Sequence, residues 1–293
     1  MKLRGPQLEW AVKLSFEHYL KRKQEKPTQL SDKKKDFLDS YLEAQRKNPD
    51  SIDDGQMVSY LLTNTVAGSH PTAYTLTAIV YYVLKTPGVY ARLNRELDES
   101  QVNKAIPVSW EAARKLQYMD AVVRETIRIH PAFALTLERV VPDEGFHLSD
   151  NRYVAGGTIV GMNPWIINRS EKLFGPHSDS FIPERWLQGP EETDEDFEVR
   201  RKKMWNSILS FGTGPRTCTG QHLAIMKISK TVASFFMAFD VCLSMLFGFP
   251  HINAMFRWHW RVRIKSGKSR IRGRSGLRMC PLFFGQEANL QLD

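Results

Sequence analysis

The feature that most constrains this chain is the stretch from residue 211 to residue 220, which places a single thiol in a glycine-rich loop. An apolar pattern with helical spacing follows from residue 223 to residue 236, so Cys218 precedes a helix. The amides and the macrodipole at a helix N-terminus favour an anionic sulfur, the form that binds a metal. Three residues without a Cβ let the backbone approach a ligand closely, namely Gly212, Gly214 and Gly220. Cys218 is therefore a candidate metal ligand, and the alternative is a cysteine buried in a Gly-rich turn.

Composition leaves this thiol available and indicates a globular chain. The three cysteines, at positions 218, 242 and 280, are too few and too scattered for a disulfide framework or a zinc site, which fits a reducing compartment. With 293 residues and 42% hydrophobic content, the chain can bury a large core in one or two domains. The first residues contain no apolar segment long enough for a signal peptide or a membrane span. We therefore expect no membrane anchor in this chain.

The positive charge is concentrated near the C-terminal end. Of a formal net charge of +9, residues 251 to 293 contribute +7, which leaves +2 for the rest of the chain. This distribution argues against a nucleic-acid-binding face built into the fold. The stretch after residue 240 shows no clear helix or strand periodicity, so residues 241 to 293 are expected to form a disordered or non-native tail. Its origin would be a retained intron or a frame change, and a functional basic tail is the alternative.

The remaining pattern is mainly helical, with a short β-rich region. Apolar spacing and caps predict helices at residues 10–23, 35–46, 53–85 and 116–129. Short runs punctuated by Gly and Pro predict strands at residues 134–141, 146–148, 153–154 and 157–162. Residues 188 to 203 are highly charged and are expected to form a solvated loop. Glu125 and Arg128 share one helix face, a spacing that on its own is typical of an exposed ion pair.

The loop matches the pattern F-x-x-G-x-R-x-C-x-G at every fixed position, from Phe211 through Arg216 and Cys218 to Gly220. On this match the chain resembles the cytochrome P-450 haem-thiolate monooxygenases. Residues 35 to 38 further resemble fungal members of the pisatin demethylase type. The resemblance implies a mainly α fold with a small β-sheet, corresponding to the C-terminal half of the cytochrome P-450 fold. It also implies that residues 51–240 bind haem, whereas the residue pattern itself predicts N-terminal helices and a charged linker over residues 1–50.

The resemblance implies a cofactor, a partner and a substrate class. The cofactor would be haem b, with Cys218 as the axial thiolate of its iron. Electrons from NADPH would arrive through a separate reductase, and the substrate would be a small lipophilic molecule such as a secondary metabolite. Arg216 would contact a haem propionate, and Arg139 is a second candidate for this role unless it is an ordinary strand residue. Phe211, Gly212, Gly214 and Gly220 would complete the cofactor-binding loop. Family members are usually bound to the endoplasmic reticulum membrane.

The same resemblance gives Glu125 and Arg128 a structural meaning. The two residues match the E-x-x-R motif of the family, whose ion pair is buried and is completed by an arginine from a P-E-R-F segment. Here the corresponding segment, residues 183–186, supplies Arg185. An arginine fork on a carboxylate is strongly directional. We therefore expect this triad to lock the segment that carries the haem loop.

The predicted helix at residues 53–85 contains the main departure from the family pattern. Residues 67–72 align with A-G-x-D/E-T-T, where the helix is locally opened and where an acid and a threonine relay protons during oxygen activation. This chain has His70 and Pro71 at those two positions. His70 can substitute for the acid, and Thr72 supplies a hydroxyl one position later. Proline has no hydroxyl and no N–H, so the alternative is a degenerate stretch without a relay. We expect weak coupling of oxygen reduction to product formation.

Three functions are compatible with these motifs. The leading hypothesis is a monooxygenase with Cys218 as the axial thiolate. The competing hypothesis is a truncated, non-catalytic remnant, since the N-terminal half of the family fold is missing from the match. The third is a haem-thiolate isomerase or dehydratase, which needs no proton relay and would explain His70 and Pro71. Haem retention separates the remnant from the other two, and reductase-dependent oxygen consumption separates the monooxygenase from the isomerase or dehydratase.

Overall fold

The computed structural model of the chain describes residues 6–24, 35–100, 106–246, 257–264 and 291–292. The chain divides into two compact units, residues 1–73 and 74–293. The predicted fold class is confirmed, because the described part consists mainly of helices with small sheets. The predicted domain boundaries after residues 50 and 240 rest on the resemblance described above, and they stay predictions.

Two helices and the beginning of a third form the first unit. Helix α1 spans Pro6–Gln24, α2 spans Phe37–Lys47 and α3 spans Asp54–Lys85. Before α2, the side chains of Asp36 and Asp39 accept each other's backbone N–H at 2.9 and 3.0 Å, a reciprocal cap that fixes where the helix begins. The core of this unit is small and consists of Tyr19, Leu38, Leu42 and Met57.

Helix α3 is the longest element and lies where the apolar pattern predicts it. Asp53 caps it by accepting the backbone N–H of Gln56 at 2.7 Å. The helix continues through Pro71 to Lys85 without a break. Across the described residues, no helix combines the length and the apolar character that crossing a membrane requires.

The second unit continues with three helices. Helix α4 spans Val89–Glu99, α5 spans Trp110–Ala113 and α6 spans Gln117–Ile129. Gly88, at φ 82°, ends the preceding turn in a conformation that suits glycine. Ser109 caps α5 by accepting the N–H of Ala112 at 3.2 Å. Helix α6 is buried on nearly all sides from Tyr118 to Ile129, so it is the central element of this unit.

Two small antiparallel ribbons follow α6. Strand β1 (Leu137–Val140) pairs with β4 (Ile159–Met162), and β2 (Phe146–His147) pairs with β3 (Tyr153–Val154). All four lie within the runs that were predicted as strands. Val140 and Ile159 face each other across the first ribbon and are 68% and 66% exposed. The first ribbon thus presents apolar side chains on its surface.

The segment between β4 and the candidate ligand loop is built from short helical elements and one surface helix. They are α7 (Pro164–Ile167), α8 (Glu171–Phe174), a 3-10 turn (Pro183–Trp186) and α9 (Asp194–Ser207). The prediction of a loop at residues 188–203 is wrong for the part that forms α9. Thr193 caps this helix by accepting the N–H of Asp196 at 3.1 Å, and acidic residues occupy its first turn. The N-cap and the acidic residues of the first turn therefore stabilise a helix whose apolar content is low.

The last described elements are a long helix and three strands. Helix α10 spans Gln221–Ala238, and β5 (Phe239–Leu246), β6 (Arg257–Ile264) and β7 (Gln291–Leu292) form one sheet in that order. The sequence interpretation missed β5 and β6, although residues 257–264 alternate polar and apolar types at every position, which is a strand pattern. The rest of the predicted disordered or non-native tail lies outside the described residues.

The core of the second unit joins α4, α6 and α10 to the last turns of α3. Its fully buried members come from all four helices and include Ile79, Val83, Leu93, Val122 and Phe236. Burial of such aliphatic and aromatic side chains is the main favourable term in folding. This core supports α6, which carries Glu125 and Arg128, and α10, which directly follows the loop of Cys218.

Candidate functional site

The loop before α10 is closed by its own backbone. Phe211 accepts the N–H of Cys218 at 2.8 Å, and Gly214 accepts the N–H of Thr217 at 3.0 Å. Gly212 and Gly214 have φ values of 69° and 67°, where a side chain would be strained. Two left-handed residues therefore allow the chain to reverse and bring Cys218 back beside Phe211.

Cys218 lies at the surface, three residues before the first residue of α10. The first turn of α10 is closed by the N–H of Ala224, which donates to Gly220 at 2.8 Å. The positive end of the helix dipole therefore lies next to the thiol. A Cβ built on Gly220 would stand 3.9 Å from the sulfur. Glycine at this position keeps that side of Cys218 open to a ligand.

Arg216 and Arg139 are both exposed guanidinium groups of the second unit. Arg216 ends the 3-10 turn inside the loop, and Arg139 lies on β1, where its Nη1 donates to the carbonyl of Glu138 at 2.6 Å. Neither arginine forms an ion pair with any residue in the described part of the chain. Both are therefore available to an anionic group. Phe211 is half-buried and packs on Trp205, with ring centres 6.3 Å apart.

Glu125 and Arg128 form a two-pronged pair in which both side chains are 0% exposed. Arg128 Nε donates to Oε2 at 2.8 Å and Nη2 donates to Oε1 at 2.7 Å. The other guanidinium N–H groups donate at 2.7, 2.6 and 3.1 Å to three backbone carbonyls, those of Asn168, Ser178 and Ser180. All five donors of this guanidinium are thus used. The pair fixes residues 168–180 against α6.

Arg185 lies beside this pair but contributes differently from what the resemblance implies. Its Nε is 3.5 Å from Glu125 Oε1 and has no hydrogen-bond partner among the described residues. Its Nη1 donates to the carbonyl of Phe174, and its Nη2 donates to that of His177 at 3.2 Å. Burial lowers the pKa of Arg185, partly offset by the charge of Glu125. The structure brings the triad together, but Arg185 binds chiefly to backbone carbonyls.

The sequence interpretation missed other donors to the buried carboxylate. Trp186 Nε1 donates to Glu125 Oε2 at 2.9 Å, and the backbone N–H of Ile182 donates to Oε1 at 3.0 Å. A buried indole needs an acceptor, so the tryptophan beside Arg185 in the sequence was the signal that could have identified it. Asn168, which is 0% exposed, was also missed, and no sequence pattern marks it.

His70 and Thr72 lie on α3 in the first unit, whereas Cys218 belongs to the second. Thr72 Oγ1 donates to the carbonyl of Gly68 at 3.0 Å, and Ser69 Oγ lies 3.4 Å from His70 Nδ1. The expectation of a locally opened helix is wrong for this structure, because α3 is helical on both sides of Pro71. The Thr72 hydroxyl thus donates within its own helix and not away from it.

An open cavity of about 690 Å³ lies beside the first turn of α10. It is lined by aromatic, basic and apolar side chains, among them Trp110, Arg124, Arg201, Trp205 and Ile225. None of the predicted haem-loop residues lines it. The cavity is therefore distinct from the predicted cofactor-binding loop.

Comparison with known proteins places these motifs in one family. A family model described as Cytochrome P-450 matches residues 6–254. The cytochrome P-450 monooxygenase cfoH of Aspergillus candidus is 39% identical over 226 residues, which is 77% of this chain and 42% of cfoH. The cytochrome P-450 monooxygenase vrtE of Penicillium aethiopicum is 41% identical over 209 residues, 71% of this chain and 40% of vrtE.

A third relative extends further along the chain. The cytochrome P-450 monooxygenase cicH of Emericella nidulans is 33% identical over 253 residues, 83% of this chain and 46% of cicH. This chain therefore spans less than half the length of the three curated relatives. The family match covers the thiol loop, the buried Glu125–Arg128 pair and α3 alike. This chain belongs to the cytochrome P-450 family.

Proposed function

We propose that this chain forms the thiolate-ligand part of a haem monooxygenase that oxidises a small lipophilic substrate with dioxygen. The observation that carries the proposal is the exposed Cys218, held before α10 by a loop that closes on itself. A thiol at the positive end of a helix dipole is favoured as a thiolate. Membership of the family supports the assignment of this thiolate as a haem ligand.

The residues present fit a haem. Within the described ranges no cluster of three or more His, Cys, Asp or Glu could hold a bare metal ion. A haem iron needs only an axial ligand from the protein, because the macrocycle supplies the others. Arg216 and Arg139 would balance the propionates, and Phe211 would contact the ring. The backbone at Gly212, Gly214 and Gly220 leaves room for a flat ligand close to Cys218.

The chain's own contribution is to hold the sulfur in place before the N-terminus of α10. When bound, the haem supplies the oxygen-activating redox chemistry, which an electron-donating thiolate promotes. The N-terminus of α10 places the positive end of a helix dipole beside the sulfur. The hydrogen bond from the Cys218 N–H to the carbonyl of Phe211 fixes the backbone that carries the thiol. The Glu125–Arg128 pair holds the preceding segment against α6.

Proton delivery is the weak point of this mechanism, and His70 and Thr72 are the proposed donors. An imidazole can exchange protons near neutral pH. The Thr72 hydroxyl already donates to Gly68 at 3.0 Å, so it can pass on its proton only after that bond breaks. We therefore propose that oxygen reduction is poorly coupled, and that hydrogen peroxide is released. A Thr72→Val variant should change the yield of peroxide per NADPH by less than a factor of about two, because a hydroxyl bonded to its own helix delivers few protons.

A second candidate function is a haem-thiolate isomerase or dehydratase. Pro71 and the bonded Thr72 hydroxyl favour it, because such a reaction needs no proton relay to dioxygen. Electrons from NADPH, delivered by a separate reductase, are required only by the monooxygenase. Oxygen consumption that depends on the reductase would support the monooxygenase. Turnover of a peroxide or an epoxide without reductase would support the second candidate.

The first test is the carbon monoxide difference spectrum of the reduced chain, expressed with a haem precursor. We expect a strongly red-shifted Soret band that disappears in Cys218→Ser. A Cys280→Ser variant serves as the matched control, since it removes a thiol outside the signature, and it should keep the band. If the unmodified chain shows no such band, the proposal is overturned and the chain is a non-catalytic remnant.

A further inference from the structure

Asn168 connects the buried ion pair to the segment that leads into the Cys218 loop. It ends α7 and is 0% exposed, and its backbone carbonyl accepts Arg128 Nη1 at 2.7 Å. Its side-chain Nδ2 donates to the carbonyl of Arg128 at 3.0 Å and to Ser210 Oγ at 2.9 Å. Its Oδ1 accepts the N–H of Leu209 at 3.0 Å. One buried amide therefore contacts both α6 and the entry to the loop.

The partners fix the orientation of this amide. A backbone carbonyl such as that of Arg128 can only accept, and the N–H of Leu209 can only donate. If the amide were turned over, two acceptors would face each other and two donors would face each other. Because unpaired polar groups in a buried site are costly, a single arrangement is favoured. Asn168 thus fixes the position of residues 209–210 relative to α6.

Further hydrogen bonds connect residues 209–210 to the backbone of Cys218. Ser210 Oγ donates to the carbonyl of Ile127 on α6 at 2.6 Å, and this bond also holds residues 209–210 on α6. One residue later, Phe211 accepts the N–H of Cys218 at 2.8 Å. The position of Cys218 therefore depends on where residues 209–211 lie. The Asn168 amide is the group that ties those residues to the ion-pair core.

We propose that Asn168 is a positioning residue for the Cys218 thiolate. Its side chain holds residues 209–211 on α6, and Phe211 transmits that position to the N–H of Cys218. The role in holding a haem ligand rests on the proposed function, whereas the coupling between Asn168 and the loop is a property of the polypeptide alone. The two parts can therefore be tested separately.

The first test uses the protein without haem and measures amide hydrogen exchange residue by residue. Asn168→Ala removes three hydrogen bonds, and Ser210→Ala is a milder variant in case the first folds poorly. Two controls are matched to Asn168→Ala. Asn48→Ala changes another helix-ending asparagine, whose side-chain amide donates to the carbonyl of Ala44 in its own helix. Val83→Ala weakens the core of the same unit and removes no hydrogen-bonding group, because the valine side chain is apolar.

We expect exchange at Leu209 and Cys218 to accelerate about tenfold or more in Asn168→Ala, beyond any change in the rest of the unit. Ser210→Ala should accelerate the same amides by a smaller factor, and the double variant should add little to Asn168→Ala. Val83→Ala should accelerate amides throughout the unit, and Asn48→Ala should leave these two unchanged. Uniform acceleration in Asn168→Ala, or none at residues 209–218, would overturn the coupling.

The second test uses the haem-loaded chain and concerns the ligand itself. In Asn168→Ala, a larger share of the reduced carbon monoxide complex should show the Soret position of a neutral thiol rather than of a thiolate. Val83→Ala, at equal loss of stability, should keep the thiolate position. A thiolate band that is unchanged in a variant with a loosened loop would overturn the positioning role. If the unmodified chain binds no haem, the proposed function fails, while the exchange experiment still decides the coupling.

Discussion

Two Glu–Arg pairs in the second unit have the same spacing and opposite environments. Glu125 and Arg128 on α6 are both 0% exposed, whereas Glu198 and Arg201 on α9 are 59% and 33% exposed. The buried carboxylate accepts from Arg128, Trp186 and the backbone, and the exposed carboxylate lies 2.9 Å from a single arginine. The spacing alone sets only which face the two side chains share. The surroundings of that face determine whether the pair holds neighbouring segments together inside the protein or lies exposed to solvent.

The largest expected difference follows from removing each carboxylate. Glu125→Ala leaves a buried guanidinium, an indole N–H and a backbone N–H without their acceptor, and should lower the free energy of unfolding by about 3 to 5 kcal/mol. The matched variant Glu198→Ala should lower it by about 0.5 kcal/mol or less, because the exposed pair is already solvated. Urea denaturation followed by tryptophan fluorescence measures both. Equal losses in the two variants would break the distinction.

A smaller difference is expected when each arginine becomes lysine. Arg128→Lys keeps the charge but cannot reproduce five donors in a fork, so the free energy of unfolding should fall by about 2 to 3 kcal/mol. Arg201→Lys keeps the positive charge beside Glu198 and should be neutral within about 0.5 kcal/mol. The same denaturation series measures this. A tolerated lysine at position 128 would mean that charge, and not hydrogen-bond geometry, holds the site.

Other elements of the structure show which features the sequence could predict and which it could not. The bounds of α3 and α6 were predicted to within one residue, since long apolar periodicity and caps are local signals. Helix α9 was missed because it is stabilised by its N-cap and by the acidic residues of its first turn, and not by an apolar face. Strand β6 was missed although its alternation was readable. The contacts of Asn168 and Trp186 with residues distant in the chain have no local signature, so only the structure reveals them.

Added salt should weaken the coupling of the exposed pair and leave that of the buried pair unchanged. This difference is smaller than the two described above. Raising the ionic strength from about 0.05 to 1 M shortens the Debye length to about 3 Å and screens exposed charges. The coupling energy of Glu198 and Arg201, at most about 0.5 kcal/mol, should therefore approach zero. The coupling of Glu125 and Arg128 should stay the same, because water and ions do not reach it. Double-mutant cycles at the two salt concentrations measure both values. A coupling on α6 that falls with salt would show that the pair opens to solvent.

The smallest expected change in stability concerns Cys218, and it tests the division of roles between the core and the loop. The thiol is exposed and its loop is closed by backbone hydrogen bonds, so Cys218→Ser should alter the free energy of unfolding by less than about 0.5 kcal/mol. The same variant should lose the thiolate Soret signature completely if Cys218 is the haem ligand. Glu125→Ala should behave in the opposite way, with lower stability and an unchanged band position in whatever fraction remains folded. A Cys218→Ser variant that unfolds the apo chain would contradict this division, because it would make the sulfur a structural element of the loop as well as a candidate ligand.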